Sequence, residues 1–197
     1  MPNEPTCLDP AQCALLVMDY QPVVLGSMSD SDALVSRTNQ AIDIVRRHGG
    51  VVGFVRIAFD HADYGAVPST NKAFSAVAAA KHLQNNMPGT AIHADLAPQP
   101  GDLVVRKTRV GAFTTTGLDE LLTNLGVTTL ILAGVHTSGV VLSTVRDAAD
   151  KDYQLIVLSD CTSDPDREVH DWLMQRVFPR QAKIATVAEL GIWLSET

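Results

Sequence analysis

The sequence predicts an α/β fold: a three-layer α/β/α arrangement around a mostly parallel six-stranded sheet, Rossmann-like in its winding. Three observations predict it. Six short apolar runs rich in Val, Ile and Leu recur along the chain. Such runs read as strands buried on both faces, which is the environment of a parallel sheet. The stretches between them have helical spacing, and strand–helix alternation implies right-handed crossovers with helices on both faces. The polar residues best suited to chemistry stand just after the runs, where open parallel sheets bind ligands.

The elements follow in order. Ala14–Met18 is the first run and ends at Asp19. Ser31 and Asp32 can cap a helix that continues to Arg47, with Leu34, Thr38, Ala41, Ile42 and Val45 on one face. Val51–Ala58 follows the Gly49-Gly50 turn, and Leu103–Val105 follows Pro100-Gly101-Asp102. A short helix opens at Gly117 and closes near Gly126. Thr129–Ala133 leads into Gly134, and Ser138–Lys151 is the helix after it. Leu155–Leu158 precedes Ser159-Asp160, and Asp164-Pro165 is placed to begin a helix, since Pro suits a first turn. Ala182–Val187 is the last strand and Val187–Leu194 the last helix. One stretch breaks the rhythm: Asp60–Pro100 carries no convincing strand, four prolines and one helical piece around Asn71–Leu83. An excursion of this length is expected to be a lid, a partner contact or a surface helix with loops.

Bulk properties bound the function. The 197 residues suit a single domain spanning 1–197, and 46% hydrophobic against 19% charged residues can build a core. A net charge of -7, with scattered Lys and Arg, disfavours a nucleic-acid role. No run approaches the roughly 20 apolar residues of a membrane helix. Met1–Pro10 lacks the basic start and apolar stretch of a signal peptide. Cys7, Cys13 and Cys161 are too few and too scattered for a disulfide framework. A soluble cytoplasmic protein is expected, with no cofactor and no metal, because no His or Cys spacing fits a metal site. Asp60-His61 is only an adjacent pair, a pattern usually solvated.

Three polar features fall at strand ends. Asp19 follows the first run, Arg106-Lys107 the third, and Gly134-Val135-His136-Thr137-Ser138-Gly139 joins the fourth to a helix. If their strands are neighbours, Lys107 can pair with Asp19. Lys107 would favour the ionised carboxylate and burial would oppose it, which is how a proton donor or acceptor is tuned. A buried ion pair without catalytic work is the plainer reading. The Gly134–Gly139 turn lacks any nucleotide-binding pattern but presents backbone N–H groups to an anion or oxyanion. Ser138 is equally well placed as a simple helix cap.

At these residues the sequence resembles the isochorismatase-like, or cysteine hydrolase, superfamily. The matching stretches are ALLVMDYQ at 14–21, VVRKTRVGAF at 104–113 and LILAGVHTSGVVLSTVRDAAD at 130–150. With the strand–helix order the resemblance spans nearly the whole chain, and the third stretch is the most specific. It implies a six-stranded, mostly parallel sheet and, in most members, an Asp–Lys–Cys catalytic group. Asp19 and Lys107 match the first two. The residue at the cysteine position is Val140, so the resemblance implies a member without that nucleophile. It further implies a cis peptide between Val135 and His136, an oxyanion hole from the His136 and Val140 amides, with Ser138 and Gly139 beside it, and a homo-oligomer, dimer or larger. The Asn71–Phe74 stretch is the candidate contact or lid.

Without a thiol, acyl-enzyme chemistry lacks its usual nucleophile. True isochorismatases resemble this chain in that respect: they lack the cysteine and cleave a vinyl ether, with the Asp as acid. The His136–Gly139 surroundings do not otherwise match that branch. Three readings stay open. One is a cysteine-independent hydrolase using Asp19 and Lys107. The second is an amidohydrolase with another nucleophile, Ser138 or Ser143. The third is a non-enzymatic small-ligand binding or assembly protein on the same scaffold.

Overall fold

The computed structural model describes residues 8–96 and 98–195; Cys7 lies outside them. Six strands, β1 (Cys13–Met18), β2 (Val51–Ile57), β3 (Leu103–Lys107), β4 (Thr129–Val135), β5 (Gln154–Ser163) and β6 (Lys183–Ala185), form one sheet in the order β3-β2-β1-β4-β5-β6. All five pairings are parallel, so the expectation of a mostly parallel sheet tightens to a wholly parallel one. The order reverses between β1 and β4. That is the topological switch point, where helices leave in opposite directions and open a crevice beyond the strand ends.

Side-chain alternation along each strand feeds two cores. On one face Leu15, Val17, Ile131, Ala133, Ile156 and Leu158 pack with Ile42, Val45 and Leu190. The helices there are α2 (Ser31–Arg47) and α7 (Val187–Ser195), which follow the short α1 (Pro22–Leu25) and the rest of the helices in between. The expected face of α2 is the buried one: Leu34, Thr38, Ala41, Ile42 and Val45 are all inside. On the other face Ala14, Leu16, Met18, Leu130, Leu132 and Val157 pack with Leu118, Leu122, Val145 and Ala148. These helix residues come from α4 (Leu118–Asn124) and α5 (Leu142–Ala149). Full burial of a Leu or Val contributes about 1.5–3 kcal/mol, so the two central strands, buried along their whole length, anchor the fold.

Five expectations need correction. β5 does not stop at Leu158; it continues to Ser163 because Thr162 and Ser163 pair with Gly134 and Val135 past an irregularity in register. The segment after β4 is not α-helical from Ser138: Thr137–Val141 is π-helical and α5 proper begins at Leu142. The helix expected at Asp164-Pro165 starts later, as α6 (Arg167–Trp172), capped by Asp166, whose carboxylate accepts from the Glu168 and Val169 amides. In the excursion, the piece expected over Asn71–Leu83 shrinks to α3 (Ser75–Ala79). Asn71 Oδ1 accepts from the Ala73 and Phe74 amides, holding a turn there. Left-handed backbone at Lys81 (φ 51°) and Leu83 (φ 58°) closes the other end. The excursion has its own small core, in which Phe74 is buried against Ile57 and Phe59. Asp60 is not merely solvated: it pairs with Arg106 at 3.1 Å and accepts from Asn85 at 2.8 Å.

Candidate active site

Asp19 is the first residue past β1, and its backbone leaves the strand by a left-handed turn (φ 59°), which Asp tolerates better than bulkier residues. Its amide still donates to Val55 O at 2.8 Å, so the residue remains tied to β2. Lys107 is the last residue of β3, not the first beyond it. β3 and β1 are separated by β2, and the long Lys side chain spans that strand. Its Nζ donates to Asp19 Oδ2 at 2.8 Å, to Val110 O at 2.9 Å and to Arg109 O at 3.1 Å. All three ammonium donors are therefore used, and the side chain is 1% exposed.

Asp19 is 6% exposed, and its second oxygen differs from the first. Oδ1 is buried and takes no hydrogen bond from a described residue. Burial pushes the carboxyl up to about 6, against the opposing pull of Lys107's charge and hydrogen bond and, less, of the Ile57 amide, which itself donates to Gln21 Oε1. Desolvation wins because a carboxylate out of water loses more than one partner returns. The result is a carboxyl near neutrality with one free oxygen, held rigidly by the other.

Gln21, two residues on, is fully buried and was not singled out by the sequence reasoning. Its Oε1 accepts from Ile57 N at 2.8 Å, and its Nε2 donates to Ile57 O at 2.9 Å and Thr90 O at 2.8 Å. It thereby clamps the end of β2 to the excursion beside Asp19. The one signal available was its place in the matching string at 14–21.

The loop after β4 stands on the other side of the switch point. Met18 pairs with Gly134, so Asp19, the first residue past β1, stands beside Val135, the last residue of β4. The Val135–His136 peptide is cis. The His136 carbonyl accepts from the Gly139 and Val141 amides at 3.1 and 3.4 Å. Val140 is 2% exposed and shares an apolar cluster with Met18, Ala112 and Phe113. Ser138 is exposed, and its amide donates to Asp164 Oδ2 at 2.8 Å. Gly139 is half-buried with open space around its Cα. Ser143 lies on α5, half-buried, on the side of Gly111. Thr137 is buried and bonds to His170 Nδ1 at 2.8 Å. The structure thus joins Asp19 to Lys107 directly and sets the β4 loop on the neighbouring strand. Among the described residues it gives neither Ser138 nor Ser143 a basic partner. Among the described residues no group of three His, Cys, Asp or Glu side chains could hold a metal ion.

Two surface clefts flank this spot. One of about 400 Å³ is lined by Arg37, Asp160, Ser163 and His170, and one of about 610 Å³ by Val23, Leu83, Met87 and Thr90. Neither is lined by Asp19 or Lys107.

Fold and site together define an enzyme scaffold: an open parallel sheet with a tuned carboxyl–ammonium pair at its switch point. Comparison with known proteins gives the family. The isochorismatase domain matches residues 13–189. An isochorismatase family protein of Bacillus subtilis, YwoC, is 31% identical over 186 residues, covering 92% of this chain and 94% of the relative. The ureidoacrylate amidohydrolase RutB of Stutzerimonas stutzeri is 26% identical over 213 residues, covering 98% and 82%. The structure of an isochorismatase family protein from Burkholderia thailandensis superposes with a TM-score of 0.82 at 28% identity, covering 97% and 98%. The chain belongs to the isochorismatase family and is a hydrolase of that family. No helix among the described residues is long and apolar enough to cross a membrane.

Proposed function

We propose that this hydrolase cleaves a small-molecule substrate without a cysteine nucleophile, with Asp19 as the proton donor and acceptor and Lys107 as its partner. The observation that carries the reading is the free, buried Oδ1 of an Asp19 whose other oxygen is fixed by Lys107. A carboxyl pushed up to about 6 is a competent acid near neutral pH, because proton donors work best when their pKa lies near the working pH. Val140 at the cysteine position supports the absence of a thiol step. The two thiols among the described residues are unreactive: Cys13 and Cys161 are buried, and burial pushes them to about 11 and about 12. The His136 and Val140 amides, with Ser138 and Gly139 beside them, are the proposed oxyanion donors.

A vinyl ether suits this arrangement best. Asp19 protonates the terminal carbon, water adds to the resulting cation, and the hemiketal collapses. A second reading is favoured by the relative named as a ureidoacrylate amidohydrolase. There an amide is the substrate and another nucleophile, such as Ser138, replaces the cysteine. A panel of small vinyl ethers, amides and esters separates the two. Turnover of vinyl ethers with one solvent deuterium entering the former CH₂ carbon in D₂O supports the first. Amide turnover with a trapped acyl-serine supports the second, and tight ligand binding with no turnover supports a binding protein.

Two outcomes follow from the site. The acid must carry its proton, so kcat/KM should fall as pH rises through Asp19's value of about 6. A rate that keeps rising from pH 6 to pH 8 would contradict a protonated Asp19. Alkylation with iodoacetamide at pH 7 should leave activity intact and Cys13 and Cys161 unmodified by peptide mass spectrometry. Inactivation that tracks modification of either would contradict the thiol-free route.

A further inference from the structure

Asp19, once it has given its proton to carbon, is held in place by Lys107, so a second group nearer the attacking water can serve as its base; Lys107, with all its donors engaged, cannot. The β4 loop carries a candidate. His136 Nε2 lies 3.0 Å from Ser27 Oγ, a contact between residues 109 positions apart. Ser27 follows α1, the helix that begins just after Gln21, so the chain leaving Asp19 folds back onto the loop leaving β4.

The hydroxyl has one proton. Ser27 Oγ lies 2.7 Å from Val24 O, which can only accept, so the proton is committed there. Oγ then receives the Nε2–H of His136, which leaves the imidazole lone pair on Nδ1. No described residue hydrogen-bonds to Nδ1. Burial of the half-buried ring lowers its pKa, so the lone pair is available at neutral pH. Asp164, the charged group that faces it, works in the opposite sense and so favours the imidazolium once it forms.

We propose that His136, through Nδ1, is the general base for the attacking water, and that Ser27 is the positioning residue that fixes its tautomer. The inference rests on the cysteine-independent reading above. For a vinyl ether, the C=C π pair takes the Asp19 proton and forms the C–H bond. Water oxygen bonds to the cationic carbon and its proton passes to His136 Nδ1. The C–O bond to the alcohol then breaks, and the departing oxygen takes the proton back from the imidazolium. The new carbonyl's O–H proton returns to Asp19, so both groups end as they began.

The test uses the full ¹⁵N-labelled chain. Long-range ¹H–¹⁵N correlation at pH 7.5, assigned by difference from His136→Gln, should show a neutral His136 ring protonated on Nε2. Ser27→Ala should shift the ring to a mixture of tautomers and Ser27→Thr should restore it. A proton on Nδ1, or a tautomer indifferent to Ser27→Ala, overturns the proposal. In kinetics with the vinyl-ether and amide panel, His136→Gln should lower kcat by about 10²-fold or more with KM little changed. If Asp19→Asn abolishes turnover while His136→Gln retains it, this inference fails and the acid role stands. If both variants retain full turnover, this inference fails and the acid role of Asp19 that it rests on fails with it.

Discussion

Asp19→Asn should lower turnover by about 10²–10⁴-fold, the usual contribution of a positioned acid or base. The substitution is nearly isosteric. Asn can still accept the Lys107 ammonium bond through its amide oxygen, but it has no proton to donate near neutral pH. Lys107 keeps its bonds to Arg109 O and Val110 O, so the β3 end stays anchored. The effect should fall on kcat more than on KM, because the lost interaction is made in the transition state. Circular dichroism and thermal unfolding establish that the variant is folded before rates are compared. Full activity in a folded Asp19→Asn enzyme would end the acid role.

Lys107→Met should cost stability, by about 3–5 kcal/mol. Met keeps the length and apolar stem of Lys but removes the ammonium, so Asp19 Oδ2 and the carbonyls of Arg109 and Val110 each lose a donor. For a chain of this size about 1 kcal/mol corresponds to about 2–4 °C, so Tm should drop on the order of 10 °C. The pH dependence has a definite sign. Burial already raises Asp19 to about 6, and loss of Lys107 removes the influence that lowers it. A carboxyl raised in the folded state contributes stability below its unfolded value and loses it as pH rises through the folded value. The Met variant should therefore be least impaired near pH 5 and most impaired near pH 8. A Tm within 2–3 °C of wild type at both pH values, roughly one kcal/mol or less, would show that the pair does not hold the sheet edge together.

The parts of this molecule that were legible in the sequence are those governed by burial. The apolar runs at 14–18, 51–58 and 129–133 coincide with strands because a parallel sheet shields both faces. The α2 stripe was readable because one helix face meets one sheet. Polar segments with long-range partners were not readable. β5 runs past Leu158 because Gly134 and Val135 offer backbone partners to Thr162 and Ser163, and composition carries no trace of that. Asp164 looked like a helix start, yet it accepts the Ser138 amide from 26 residues away while Asp166 caps α6.

The site divides in the same way. Asp19 and Lys107 were visible because each follows an apolar run and sits in a string that resembles the family; that Lys107 reaches Asp19 across the intervening β2 was not legible, because it depends on the length of one side chain. Gln21 and Ser27 were not found as site residues. Gln21 acts by clamping backbone from two other segments, and Ser27 acquires its partner only when the α1 loop meets the β4 loop. Neither contact has a sequence period or spacing to betray it.

Intact-protein mass spectrometry during steady-state turnover tests the central claim most directly. Wild-type enzyme quenched with the turned-over member of the vinyl-ether and amide panel should show only the mass of the unmodified chain, because Asp19 and water carry the reaction without a covalent intermediate. An acyl adduct that forms and decays at the turnover rate, mapped to a serine or to any cysteine, would contradict it.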